Sequence, residues 1–359
     1  MIEYILFGIA AFWLVLAFAV RKYNLEERGV TIIPLIFLMV RTKRFLHLID
    51  WLSEKGKVFW NAYSTLGVFV SAVGIPAALA FFAWNAYKVL LAPREATPVV
   101  PVIPGVTIKL SWGLIISIVI IFFAHEFSHG IVARREGINL KSMGVLLFVI
   151  VPGAFVEPDE EEMKKKSPLS RIKVYSAGSL ANFVVAAIFL LLLLQIPQTP
   201  DGILIYDTIP GTPAETALPE GTIIYTVDRI DVSTYEEFSA QMDTYHPQDT
   251  ITLETSKGIF HITLTEHPDN PGHGFIGIRP VQHLEHFFIL DILSWISMLN
   301  LSIALFNLFP ISRVLDGGKI TDEVLTHFFS EPTSRKLSTL IGTLAMAILI
   351  INLLSNVIV

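Results

Sequence analysis

"FFAHEFSHGIVARRE", residues 122–136, is an apolar run that abruptly carries two histidines and a glutamate before it ends in two arginines. The uncharged stretch leading into it begins at Leu110, so His125, Glu126 and His129 fall where a chain is otherwise fit for lipid. A carboxylate near the centre of a bilayer costs about 2.5–3.5 kcal/mol even on lenient insertion scales. Residues four apart share one face of a helix. Both imidazoles of His125-Glu126-Phe127-Ser128-His129 can therefore reach one tetrahedral metal ion, and Glu126 can reach a water on it. The plainer alternative is a pair of core polar residues satisfied by their neighbours. Three polar groups inside a span need partners, and a metal supplies them.

Composition sets the surroundings. The chain has 359 residues, 53% of them hydrophobic and 16% charged, with a mean hydropathy of +0.60. That is too apolar for a soluble protein of this length and predicts several membrane spans. A net charge of −6 gives no ground for nucleic acid binding. The absence of cysteine excludes disulfides and thiolate ligands, which leaves His, Asp and Glu to hold any metal.

Against a requirement of about 20 residues per span, the uncharged runs are Tyr4–Val20, Val58–Tyr87, Leu110–Ala124 continuing through the histidines to Ala133, Val174–Pro200, Ile292–Ser312 and Leu337–Val359. They predict a polytopic α-helical membrane protein with about six transmembrane helices. The first run follows Glu3 and precedes Arg21 and Lys22, which reads as an uncleaved anchor with its N-terminus outside. Segments 21–57, 134–173 and 313–336 hold 20 of the 26 lysines and arginines. The positive-inside rule places those segments in the cytoplasm and residues 200–291 outside, in a multi-pass protein of the cell membrane. Two shorter apolar pieces stand apart. Val30–Val40 contains Pro34 and runs into Arg41, Lys43 and Arg44, so it reads as interfacial or partly inserted. Ser142–Val156 is β-branched in places, is broken by Pro152-Gly153, and has charged flanks, so it enters and leaves on one side.

Three regions follow: residues 1–199, an N-terminal membrane region with the H-E-x-x-H helix; residues 200–281, a small α+β module; and residues 282–359, a C-terminal membrane region. In the module, short β-rich runs alternate with Gly/Pro turns around one helical segment, Tyr235–Tyr245. Its "IPGTPAETALPEGTIIYTVDRIDV" (209–232) resembles a circularly permuted PDZ domain of the bacterial kind, with "GHGFIGI" (272–278) as the loop and strand of the peptide site. A PDZ-like domain implies a peptide or substrate tail added as a strand to a sheet edge. A steric plug is the equal alternative.

A third metal ligand is sought among the acids near the spans. In "FNLFPISRVLDGGKI" (306–320), Asp316 lies between the helix-breaking Pro310 and the permissive Gly317-Gly318. Asp291 opens the same span from the other side and reads as an N-cap. H-E-x-x-H in one span, and N-x-x-P followed by D-G after a later one, with a PDZ-like module between, resembles the site-2 protease family of intramembrane zinc peptidases, peptidase family M50. The resemblance runs from Leu110 to the C-terminus. It implies one zinc ion per chain held by His125, His129 and Asp316, with Glu126 as catalytic base. Five residues separate Pro310 from Asp316, where the family usually has four.

"SAGSLANF" (176–183) is similar to the family's A-G-x-x-x-N stretch. There Asn182 donates to the developing oxyanion or to the substrate backbone, while the small residues admit close helix packing. Ser142–Val156 is similar to the family's membrane-entering β-loop, whose open edge would hold an unwound substrate by main-chain pairing; a structural lid is the alternative. His283 and His286 read as surface residues, and Lys164–Lys166 as a solvated stretch beside anionic lipid.

The expected function is hydrolysis of a peptide bond within a transmembrane helix of a membrane-protein substrate. The alternatives are a zinc peptidase trimming lipidated or exported peptides, and a non-catalytic scaffold binding partners through its PDZ-like domain.

Overall fold

The computed structural model of the chain describes residues 2–103, 107–311 and 314–358, with side chains described over 7–103, 107–311 and 314–355. It divides into two compact units, Met1–Leu191 with Ile292–Val359, and Leu192–Asp291. In chain order the first unit holds helix α1 (Ile2–Lys22), strands β1 (Val30–Ile33) and β2 (Phe37–Thr42), helices α2 (Leu46–Glu54), α3 (Lys57–Leu91) and α4 (Trp112–Arg135), strands β3 (Leu140–Phe148) and β4 (Val151–Pro158), and helices α5 (Glu160–Lys164) and α6 (Pro168–Leu193). The second unit holds β5 (Pro200–Thr208), α7 (Pro213–Ala217), β6 (Ile223–Val227), β7 (Ile230–Asp231), α8 (Tyr235–Met242), β8 (Thr250–Thr255), β9 (Gly258–Thr263), β10 (Thr265–Glu266), β11 (Gly274–Phe275) and β12 (Ile278–Leu284). The chain closes with α9 (Phe287–Leu308), α10 (Asp316–Phe328) and α11 (Glu331–Ile358).

Among the described residues, α3, α4, α6, α9 and Glu331–Ser355 of α11 are long and apolar enough to cross a membrane. The expected first span, Tyr4–Val20, is helical within α1, but the side chains of residues 2–6 lie outside the described residues. The ends of two expected runs, Ser312 and Val359, lie outside them as well. Asp291 is not an N-cap: α9 starts at Phe287, so Asp291 sits in its second turn.

Both short apolar pieces are strands of one antiparallel sheet, ordered β1-β2-β3-β4. Val30–Val40 forms the β1–β2 hairpin, and β2 pairs with β3 from Phe37↔Phe148 to Thr42↔Met143. Among the described residues β4 pairs only with β3, and it carries Pro152, a residue suited to an edge strand. The hairpin tips are tied together. Val149, in the left-handed region at φ 56°, donates its N–H to Ile36 O at 2.8 Å. Its carbonyl accepts from the indole of the fully buried Trp13 of α1 at 2.9 Å.

Helix α4 begins where the Ser111 side chain accepts from Leu114 N. It ends with Arg134 and Arg135 in its last turn, favourable to the helix dipole, before Gly137 at φ 70°. Its lower half packs with α2, β3 and α6 around Ile49, Ile131, Val132, Leu140, Met143 and Ala177. In the second unit, β12-β5-β6-β8-β9 form a sheet over a core that includes Ile203, Ile224, Phe238, Ile251 and Leu253. Two phrases quoted above meet there: Ile209 N donates to Gly277 O at 2.8 Å and Ala214 N to Ile276 O at 3.1 Å. A side chain at Gly277, φ 87°, would collide with Thr212.

Candidate active site

His125 and His129 lie one turn apart on α4, and their Nε2 atoms are 3.1 Å from each other. Asp316 Oδ2 stands 3.3 Å from the first and 3.2 Å from the second. The three side chains are 11%, 13% and 7% exposed, so the group is nearly closed to its surroundings. These donors form a cluster that could hold a metal ion. Two neutral imidazoles and a carboxylate also suit a borderline cation in their charge and softness.

Helix α6 builds the back wall. Val174, Gly178 and Asn182 follow at intervals of four, so they form one stripe facing the two histidines. His129 Nδ1 donates to the Val174 carbonyl at 2.7 Å, which leaves its Nε2 free for the cluster. Asn182 is fully buried with Nδ2 3.1 Å from His125 Nδ1, and its Oδ1 has no hydrogen-bond partner among the described residues. Between them, a Cβ on Gly178 would fall against both imidazoles. Glycine is required there by the histidines themselves as well as by helix packing.

Asp316 is the first residue of α10, a helix of its own beyond the fifth expected span, where a carboxylate also meets the positive end of the helix dipole. Gly317 permits that placement, since a side chain there would strike the Leu308 carbonyl at the end of α9. The Pro310–Asp316 connection includes Ser312 and Arg313, which lie outside the described residues. A forked ion pair secures α10 to α6, with Arg171 Nε 2.8 Å and Nη2 2.5 Å from the Glu323 carboxylate.

Glu126 directs its carboxylate to the sheet. Its Oε2 accepts from Val156 N at 2.9 Å, on the side of β4 that no strand among the described residues covers. By the period of two along a strand, Ala154 turns its peptide groups the same way. Tyr63 of α3 closes the seam by donating to Ala177 O at 2.8 Å.

All five expected site residues thus lie on α4, α6 and α10 of one unit. His283 is elsewhere, 3.7 Å from Asp201 and stacked on Phe287 in the second unit. Lys164 pairs with Glu161 on α5. Sequence reasoning missed Lys319, whose Nζ lies 3.5 Å from Asp316 Oδ1 and over the Tyr175 ring. Its position three residues after an acid in a helical stretch was the available signal. The Val174 carbonyl, a backbone group, left none.

The chain is 31% identical over 220 residues to an uncharacterized protein, MJ0971, of Methanocaldococcus jannaschii, an alignment covering 61% of this chain and 56% of that one. It is 28% identical over 140 residues to the membrane-bound transcription factor site-2 protease homolog of Arabidopsis thaliana, covering 36% and 27%. The chain thus spans about half the length of one of these relatives and about a quarter of the other. The PDZ domain of the SdrC-like protein from Listeria monocytogenes aligns with 24% of this chain and 94% of its own, at 24% identity and a TM-score of 0.22. The family model described as Peptidase family M50 matches residues 113–352. That match runs from the first turn of α4 into α11 and takes in His125, Glu126, His129, Asn182 and Asp316: the chain belongs to peptidase family M50.

Proposed function

We propose that the protein is a zinc-dependent intramembrane endopeptidase that hydrolyses a peptide bond within a transmembrane helix of a membrane-protein substrate. The observation that carries this reading is the meeting, on an apolar helix, of a three-donor cluster and a glutamate bonded to an open strand edge. The donor spacing supports zinc. Arms of about 2.0–2.1 Å in a tetrahedron give edges of about 3.3 Å, and the three donor–donor distances are 3.1, 3.3 and 3.2 Å.

His125, His129 and Asp316 would hold the ion through Nε2, Nε2 and Oδ2. Zinc, when bound, supplies a Lewis acid that polarises a carbonyl and makes water acidic near neutral pH. The protein supplies the rest. Asp316 reduces the net charge of the buried site, and Lys319 engages its other oxygen. Glu126 takes the proton of the attacking water at its carboxylate and returns it to the leaving amide nitrogen. Asn182 serves two partners once its amide is turned by half a revolution, an assignment of nitrogen and oxygen that hydrogen bonding decides. Oδ1 then accepts from His125 Nδ1–H, and Nδ2–H donates to the carbonyl oxygen of the substrate as it gains charge.

A transmembrane helix satisfies its own peptide groups, so hydrolysis requires local unwinding. The outward side of β4, at Ala154 and the Val156 carbonyl, offers replacement hydrogen bonds to the unwound segment. Residues 200–281 act as a PDZ-like domain on the non-cytoplasmic side and receive a peptide or substrate tail; the distribution of 20 of 26 basic residues supports that orientation.

The test is metal analysis beside cleavage of a model transmembrane peptide. Glu126→Gln is expected to keep zinc while hydrolysis falls by about 10²–10⁴. Asp316→Asn is expected to lose both, and Asp322→Asn, further along α10, to keep both. Wild-type turnover by Glu126→Gln, or normal zinc binding by Asp316→Asn, would overturn the assignment.

A further inference from the structure

The root of the four-stranded sheet opens into a cleft of about 880 Å³ that the catalytic reading does not use. Arg28 and Gly29 enter it before β1, Arg41 to Arg44 line it at the end of β2, and His47 borders it at the start of α2. Lys141 and Ser142 of β3 face Glu157 of β4 across its floor. The lining thus carries five lysines and arginines against one carboxylate, in a chain whose net charge is −6.

Two of the five are partly engaged. Lys141 lies 3.5 Å from Asp159. Arg41 donates to Thr31 Oγ1 at 2.8 Å and stands 3.9 Å from Glu157. Arg28, Lys43 and Arg44 have no carboxylate partner among the described residues. Three uncompensated cations around one concavity repel one another, and a multidentate anion relieves that repulsion. Guanidinium forks and ammonium groups suit phosphate oxygens in particular.

The surroundings choose the source of that phosphate. From the cleft the chain runs directly into exposed apolar residues: Ile33, Leu35 and Ile36 at the tip of the first hairpin, and Phe45, Leu48 and Trp51 around α2. Basic groups at the base of surfaces that water does not favour match the headgroup layer of a bilayer. A soluble phosphate needs no such apolar border.

We propose that this cleft seats the phosphate of an anionic phospholipid headgroup. The site adjoins the chemistry. Ser142 Oγ donates to Glu157 Oε2 at 2.6 Å, and the residue before Glu157 is Val156, whose N–H reaches Glu126. A headgroup drawn to Arg28, Lys43 and Arg44 therefore sits beside Arg41 and Lys141 at the root of the strand pair that carries the open edge.

The full chain, reconstituted in equal mixtures of dioleoylphosphatidylglycerol and dioleoylphosphatidylcholine and released for native mass spectrometry, tests this directly. The wild type is expected to retain the glycerol lipid over the choline lipid by about tenfold. Exchanging Arg28, Lys43 and Arg44 together for glutamine should abolish most of that preference. The same loss of charge at Lys22, Lys55 and Lys57, exposed residues outside the cleft lining, should leave it standing. Equal retention of the two lipids by the wild type overturns the proposal, and that arm needs no variant to fold. So does an equal loss in both triple variants, which marks diffuse surface charge, or displacement of the lipid by inorganic phosphate at equimolar concentration, which marks a free-phosphate site.

Discussion

The two larger antiparallel sheets among the described residues dispose of their apolar side chains in opposite ways. In the second unit Ile203, Ile205, Ile224, Ile251 and Leu253 are each 0% exposed and pack on a core of their own. In the four-stranded sheet Ile33, Leu35, Ile36, Val145, Phe148 and Val151 are all at least 42% exposed. The same β-branched and aromatic composition thus lines an interior in one case and an exposed face in the other. In water the second arrangement would be an aggregation hazard, above all beside an uncovered strand edge. At membrane depth, backbone groups on such an edge are tolerated only where they line a cavity or find a partner. The edge of β4 meets Glu126 at one point, and under the proposed function its remaining groups would receive a peptide.

The comparison breaks first, and by the largest margin, in the second unit. Leu253→Ala should lower the protection of β8 and β9 amides in the full chain by about 2–5 kcal/mol, read by hydrogen exchange. Val145→Ala, at a position 57% exposed, should change protection of β3 by less than about 0.5 kcal/mol. Equal losses at the two sites would mean that both sheets rest on interiors.

A smaller effect sharpens the contrast at the edge. Val156→Pro removes the N–H that reaches Glu126, and a hydrogen bond to a charged acceptor contributes about 1.5–3 kcal/mol. Cleavage of a transmembrane peptide should therefore fall about ten- to a hundredfold with zinc content unchanged. Val156→Ala, which keeps the N–H, should retain most of the activity. If both variants behave alike, the side chain and not the edge matters.

The smallest effect concerns how the second unit guards its helix. Thr234 and Glu237 form a capping box at the start of α8. Amide N–H groups, that of Thr234 foremost and that of Ser233 with it, hold the Glu237 carboxyl below its ordinary range. Its contribution is present above the ordinary carboxylate value and is lost as pH falls through the lower folded value. Glu237→Gln should flatten the acid side of the exchange stability of α8, and Thr234→Ala should cost about 1 kcal/mol. An unchanged acid limb in Glu237→Gln would show that the box contributes nothing there.

What could be read from the sequence divides along the same line. Apolar length marks α3, α4, α6, α9 and α11, because a span is a local property of the chain. His125, Glu126 and His129 are legible for the same reason, falling within five consecutive residues of one helix. The first hairpin is not. Val30–Val40 folds as a hairpin whose second strand pairs with a partner more than 100 residues away, and its own length and Pro34 pointed to the interface instead. Asp316 was legible from its proline and glycines as a residue turned back toward the bundle. The helix it starts was not, nor was the Arg171–Glu323 pair that fastens that helix across 152 positions. Asn182 was visible as a polar residue in a stripe of small ones, but its nearness to His125 depends on the antiparallel passage of α6 along α4, which no spacing within either helix encodes.

One contact at the far end of the sheet has a spectroscopic meaning. Trp13 is fully buried, and its indole is bonded to the carbonyl of Val149 at the tip of the β3–β4 hairpin. Indole emission responds to the loss of such a bond and to the entry of water. With the other five of the six tryptophans replaced by phenylalanine, the chain would carry an internal dye fixed to the tip of the hairpin whose other strand forms the edge. Its colour would then register, without any added label, whether that tip opens when a model transmembrane peptide is added.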